Sequence, residues 1–228
     1  MPLTIGTVCA PRMSLIIADD CPAMREGLAR LISDECDIVV ANSAATAAEL
    51  RGCITQQVPQ VVLLELTLGD DDGLALIRDL LEMAPKLRIV VFTFQPEEVY
   101  AERCLRAGAR AYISKRDSVA ALFRTIRRVA DGEIVVPASV SEGMVGIRKA
   151  KAPAATATGT AAQLTDRELQ VFRLVGLAQP TRVIATKLGV SVKTIETHRE
   201  HIKDKLSLQS HGELVARAAQ WVRENDGN

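Results

Sequence analysis

Aromatic side chains are nearly absent. Only 3% of the residues are Phe, Trp or Tyr, so any core must be packed from aliphatic side chains. No apolar run approaches the roughly 20 residues that cross a bilayer. The N-terminus also lacks the basic region and apolar stretch of a secretory signal, so the cytoplasm is the expected location. None of the five cysteines, Cys9, Cys21, Cys36, Cys53 and Cys104, belongs to a CxxC pair, which argues against a disulfide or cysteine-metal framework. The formal net charge is zero, so no global field marks the chain for nucleic acid or membrane. What remains is ordinary soluble material, 48% hydrophobic and 25% charged over 228 residues. That length is enough for one large or two small domains.

The pattern along the chain is more telling. Residues 1–12 read as a leader without periodicity, and Met13 opens the first strand-like run. Strands are expected over 15–18, 38–41, 61–64, 89–93 and 111–113. Helices are expected over 22–32, 45–55, 74–83, 97–107 and 119–130. Five strand-then-helix units imply a doubly wound (βα)5 parallel sheet with helices on both faces. Near-continuous apolar runs such as VVLLEL and RIVVFT fit strands buried on both sides. Asp72 and Ser118 are placed to cap helices. The domain so defined spans 13–132, and a linker follows over 133–163, where AKAPAATATGTAA offers no apolar face.

From Leu164 the sequence reads as helix throughout, in an all-α domain over 164–228. Thr165 and Glu168 have the spacing of a capping box. A short helix over 181–188, a turn at Gly189-Val190-Ser191 and a longer helix over 192–206 make a helix-turn-helix. A last helix is expected over 212–223. On the longer helix, Ile195, His198, Ile202 and Leu206 recur at core spacing. Lys193, Glu196, Thr197, Glu200 and Lys203 then face outward, with chemistry suited to base edges and phosphates. This segment holds ten Lys+Arg against eight Asp+Glu. Charge therefore does not identify a nucleic-acid binder, and the pattern must.

LTDRELQV, IATKLGVS, VKTIETH and IKDKL, in that order, resemble the DNA-binding domain of the LuxR type. The resemblance implies double-stranded DNA as partner and pairing through the last helix into a homodimer. It places Glu196, Thr197 and Glu200 nearest the bases. It makes Thr181, Arg182, Ser191, Lys193, Arg199, Lys203 and Lys205 phosphate-contact candidates.

Ligands of open α/β sheets sit at the carboxyl ends of the strands. Those ends carry Asp19-Asp20, Glu65, Thr93 and Lys115. Paired carboxylates can hold a hard cation such as Mg2+, and a lysine and a hydroxyl can stabilise a transferred phosphoryl group. IIADDCPAMREGL, VVLLELTLGDDDGL, RIVVFT and GARAYISK resemble a receiver domain. With the helix-turn-helix, they are similar to NarL/FixJ-type response regulators. That resemblance implies Mg2+ held by Asp19, Asp20 and the Thr67 carbonyl, phosphoryl sensing by Thr93 and Lys115, an aromatic switch at Tyr112, and a sensor kinase upstream.

The chain departs from the family at the acceptor position, where Glu65 stands in place of the expected aspartate. Gly69-Asp70-Asp71 also replaces the usual Pro-Gly-Met. The extra methylene advances the carboxylate by ~1.5 Å, a displacement that can cost on the order of 100-fold in rate. Three readings stay open. Glu65 imitates the phosphorylated state, the pocket is inert, or Glu65 is phosphorylated slowly. The first two together rank first and make the regulator independent of phosphorylation. A rival is a magnesium-dependent phosphohydrolase with Asp19 as nucleophile, and another is an interaction module that no longer binds DNA.

Overall fold

A computed structural model describes residues 13–69, 71–137, 140 and 160–225. The expected leader and most of the expected linker lie outside the described residues. The chain divides into two compact units. One takes residues through Thr93 together with Cys104–Pro137; the other joins Phe94–Arg103 to Ala138–Asn228.

In the first unit, β1 (Met13–Ala18), β2 (Ile38–Ala44), β3 (Val61–Leu64), β4 (Arg88–Thr93) and β5 (Ala111–Ser114) form one sheet in the order β2-β1-β3-β4-β5. Every pairing is parallel. The helices that follow the strands in sequence are α1 (Pro22–Ser33), α2 (Ala47–Gln56), α3 (Gly73–Met83), α4 (Glu97–Ala107), of which residues up to Arg103 belong to the second unit, and α5 (Val119–Ala130). Leu15, Ile17, Leu63, Val90 and Ile113 pack with Leu28 and Ile32 of α1 and with Leu122, Ile126 and Val129 of α5. The alternate set, Ile16, Val62, Leu64, Ile89 and Val91, is equally buried. Burial of both side-chain sets is why these strands read as unbroken apolar runs.

Strand 2 runs three residues beyond its expected end. Asn42 and Ser43 have low strand propensity, but an edge strand exposes them to solvent at little cost. Helix α2 accordingly starts at Ala47, capped by Thr46, whose hydroxyl accepts from Glu49 N at 3.2 Å. Asp72 and Ser118 cap α3 and α5 as expected. The sheet domain outlasts its expected boundary: Val135 bridges Ala111 and donates to the Arg110 carbonyl at 2.8 Å.

In the second unit, a 3-10 turn (Ala161–Gln163) precedes α6 (Asp166–Gly176), α7 (Thr181–Lys187), α8 (Val192–Leu206) and α9 (His211–Asn225). Ala161 is buried, so the packed part of this unit includes residues ahead of the expected boundary at Leu164. Phe172, Val175, Ile184, Ile195, Ile202, Leu206, Leu214 and Trp221 make the core, with Phe172 and Trp221 at 5.9 Å between ring centroids. Gly176 lets α6 and α9 meet closely. A Cβ there would stand 2.4 Å from the Ala218 carbonyl oxygen. The same unit includes Arg103, which donates to Asp166 at 2.7 Å and to the Ala162 and Leu164 carbonyls.

Candidate functional site

Strand order reverses direction between β1 and β3, so the crevice of this sheet opens at their carboxyl ends. Asp19 follows β1 there and Glu65 follows β3. Thr93 ends β4, and Lys115 follows β5. The fold brings the four together. Glu65 Oε1 accepts from Thr93 Oγ1 at 2.5 Å, from Thr67 N at 3.0 Å and from Thr67 Oγ1 at 3.1 Å. Glu65 Oε2 lies 2.6 Å from Lys115 Nζ. The same ammonium lies 2.6 Å from Asp19 Oδ2, and Asp19 Oδ1 accepts from Cys21 N at 2.9 Å.

This network is buried. The side chains of Asp19, Glu65 and Lys115 are at most 4% exposed, and Thr93 is fully buried. Burial pulls the Lys115 ammonium down, but the Glu65 and Asp19 carboxylates outweigh it and hold it above the ordinary lysine value. For Asp19 burial dominates and pushes its carboxyl up against the opposing pull of Lys115. Tyr112 is buried as well. Asp20, by contrast, is exposed. Asp19 turns to Lys115, and Thr67 turns its N–H and hydroxyl to Glu65. No cluster of three His, Cys, Asp or Glu side chains is placed to hold an ion among the described residues.

The second surface lies on α7 and α8. Gly189 adopts φ +63°, as the turn requires. Ser191 caps α8 by accepting from Thr194 N at 3.1 Å. Arg182, Lys193, Glu196, Thr197 and Glu200 are exposed, and Thr181 is half-buried. Ile195, Ile202 and Leu206 face the core, and His198 is half-buried with Nδ1 enclosed. Three expected phosphate contacts have other surroundings. Lys205 pairs with buried Glu168 at 2.6 Å, and Lys203 pairs with Glu200 at 2.8 Å. Arg199 is partly buried, and burial pulls its guanidinium below the ordinary value despite the Glu196 charge.

Glu168 carries the local architecture of this surface. Its Oε2 accepts from Thr165 N at 2.7 Å, closing the capping box of α6, and also meets Lys205 of α8. Arg167 adds a hydrogen bond to the Leu188 carbonyl at the turn. Spacing identified the capping box but not these two tertiary roles, which depend on how the helices cross. Burial pushes the Glu168 carboxyl up, yet Lys205 and the Thr165 donors outweigh it and leave the value depressed. The depressed carboxyl stabilises the unit above its usual value near 4.5, and that contribution is lost as pH falls through the folded-state value. Glu168→Gln should therefore cost the second unit about 1.5–3 kcal/mol at neutral pH. The gap from wild type in urea denaturation should narrow on acidification, and a gap constant with pH would contradict this account.

Comparison with known proteins agrees with both surfaces. Residues 15–127 match the response regulator receiver domain, and residues 162–218 match the bacterial regulatory proteins of the luxR family. The chain is 32% identical over 206 residues to the oxygen regulatory protein NreC of Staphylococcus aureus, covering 89% of this chain and 95% of that one. Among solved structures it is similar to RcsB from Salmonella enterica serovar Typhimurium bound to promoter rprA, with a TM-score of 0.73 at 20% identity, over 91% of this chain and 98% of that chain. A LuxR-family two-component response regulator from Aurantimonas sp. SI85-9A1 is 26% identical with a TM-score of 0.55, over 60% of this chain and 98% of its own. The chain belongs to the response regulators that join a receiver to a LuxR-type DNA-binding domain. The relatives named are regulators, and the phosphohydrolase reading has no support among them. Among the described residues no helix is long and apolar enough to cross a membrane.

Proposed function

We propose that this chain is a cytoplasmic transcription regulator that grips double-stranded DNA as a homodimer, and that its receiver acts without phosphorylation. Glu65 stands at the acceptor position. The observation that carries this reading is the pair of contacts from its carboxylate, 2.5 Å to the Thr93 hydroxyl and 2.6 Å to the Lys115 ammonium. These are the two groups expected to sense an incoming phosphoryl group, and Glu65 already engages both. Its single charge substitutes for the nearly double charge of a phosphoryl group. With Thr93 drawn in and Tyr112 buried, the pocket favours one arrangement regardless of any kinase.

On DNA, α8 offers Glu196, Thr197 and Glu200 to base edges, while Arg182 and Lys193 meet phosphates. NreC is named an oxygen regulatory protein, and RcsB is bound to promoter DNA, which supports operator binding here. The test is selection from random duplexes with protein that has met no phosphodonor. A preferred site should emerge, with affinity that falls steeply as salt rises. Glu65→Ala should weaken binding roughly 5- to 150-fold, the usual span of a coupling between sites. Binding that appears only after phosphodonor treatment would overturn the receiver reading. No preferred duplex under either condition would overturn the DNA reading and favour an interaction module.

A further inference from the structure

We infer that the receiver pocket works without a divalent cation, because Lys115 supplies its positive charge from within the chain. This inference rests on the reading of Glu65 as a built-in substitute for the phosphoryl group, and it adds how the pocket is neutralised. A magnesium ion needs about six oxygen ligands at roughly 2.1 Å and parts reluctantly with its water. The buried carboxylate oxygens are already engaged. Asp19 Oδ2 and Glu65 Oε2 both hold the Lys115 ammonium at 2.6 Å. Asp19 Oδ1 is held by Cys21 N, and Glu65 Oε1 accepts three donors.

Charge leads to the same conclusion. Two buried carboxylates facing one ammonium leave a single negative charge. An ion entering between Asp19 and Glu65 would have to displace the ammonium or lie beside it. Like charges a few ångströms apart in a buried site repel strongly. One lysine bridges both acids while Glu65 also reaches Thr93. The pocket is thus closed by an internal cation on a tether, and no free ion is needed to balance it.

The test is a titration of Mn2+, a paramagnetic oxygen-seeking ion, into the full chain, with unbound ion followed by electron paramagnetic resonance. Wild type and Asp19→Asn should leave the same amount of ion free. Lys115→Met should take up one Mn2+ per chain, displaced by excess Mg2+ and lost again when Asp19→Asn is added. A wild-type site competed by Mg2+ and abolished in Asp19→Asn would overturn the inference. A folded Lys115→Met chain that takes up no ion would overturn it too. Should that variant fail to fold, the comparison of wild type with Asp19→Asn decides alone. Mass spectrometry of the same wild-type sample after a phosphodonor separates the two proposals. A label on Glu65 would end the phosphorylation-independent reading and leave the metal result standing.

Discussion

Glu65→Asp is expected to raise labelling of position 65 by a small-molecule phosphodonor on the order of 100-fold. The reason is steric before it is chemical. In the wild type the Glu65 carboxylate sits 2.5 Å from Thr93 Oγ1 and 2.6 Å from Lys115 Nζ, within hydrogen-bond contact of both. An acceptor oxygen that is to be phosphorylated needs a phosphorus between itself and those groups, and here no room is left for one. Aspartate withdraws the carboxylate by ~1.5 Å, opening that space while the partners on β4 and β5 stay in place. The measurement is intact-mass spectrometry over a time course. Equal labelling of both proteins would sink the steric account, and labelling of neither would mean that the rest of the pocket has lost its competence. The variant should also gain a dependence on the phosphodonor for operator binding, because its Thr93 partner arrives only with the phosphoryl group.

How much of this was legible beforehand differs between the two halves. Period and apolar runs located all five strands, because burial on both faces leaves strands that hardly anything else resembles. The edge strand β2 runs past its expected end at Ala41 through Asn42 and Ser43, whose low strand propensity only an edge position makes tolerable. The pocket residues were legible as strand-end chemistry, since the site of an open sheet is a consequence of topology. Their pairing was not. That Lys115 meets Asp19 as well as Glu65 depends on side-chain directions that no spacing encodes. In the helical domain the capping box was readable from Thr165 and Glu168 because it is local. Lys205, read as a phosphate contact, turned out to meet Glu168 across 37 residues of chain. On a helical wheel Lys203 falls in line with outward Glu196 and finds Glu200 on its own helix, whereas Lys205 falls in line with His198 and meets Glu168 because of how α8 crosses α6.

Lys115→Met should destabilise the first unit by about 3–5 kcal/mol at neutral pH, the usual cost of removing one member of a buried ion pair. The loss arises less from the attraction removed than from what is left behind: Asp19 and Glu65, both buried, face each other with no cation between them. Such carboxylates escape by taking up a proton. In the variant the folded state therefore binds more protons than the unfolded chain as pH falls toward the carboxylate range, and its stability should rise on acidification. The wild type should change at the opposite end of the scale. Its Lys115 is held above the ordinary value of about 10.5, so its stabilising contribution is complete below that value and fades as pH climbs through the folded-state one. Urea denaturation followed by circular dichroism between acid and alkaline pH would read both trends. Adding Asp19→Asn should return part of the loss at neutral pH, since one of the two stranded charges is gone. A Lys115→Met protein within ~1 kcal/mol of wild type would place water, and not a buried ion pair, around this lysine.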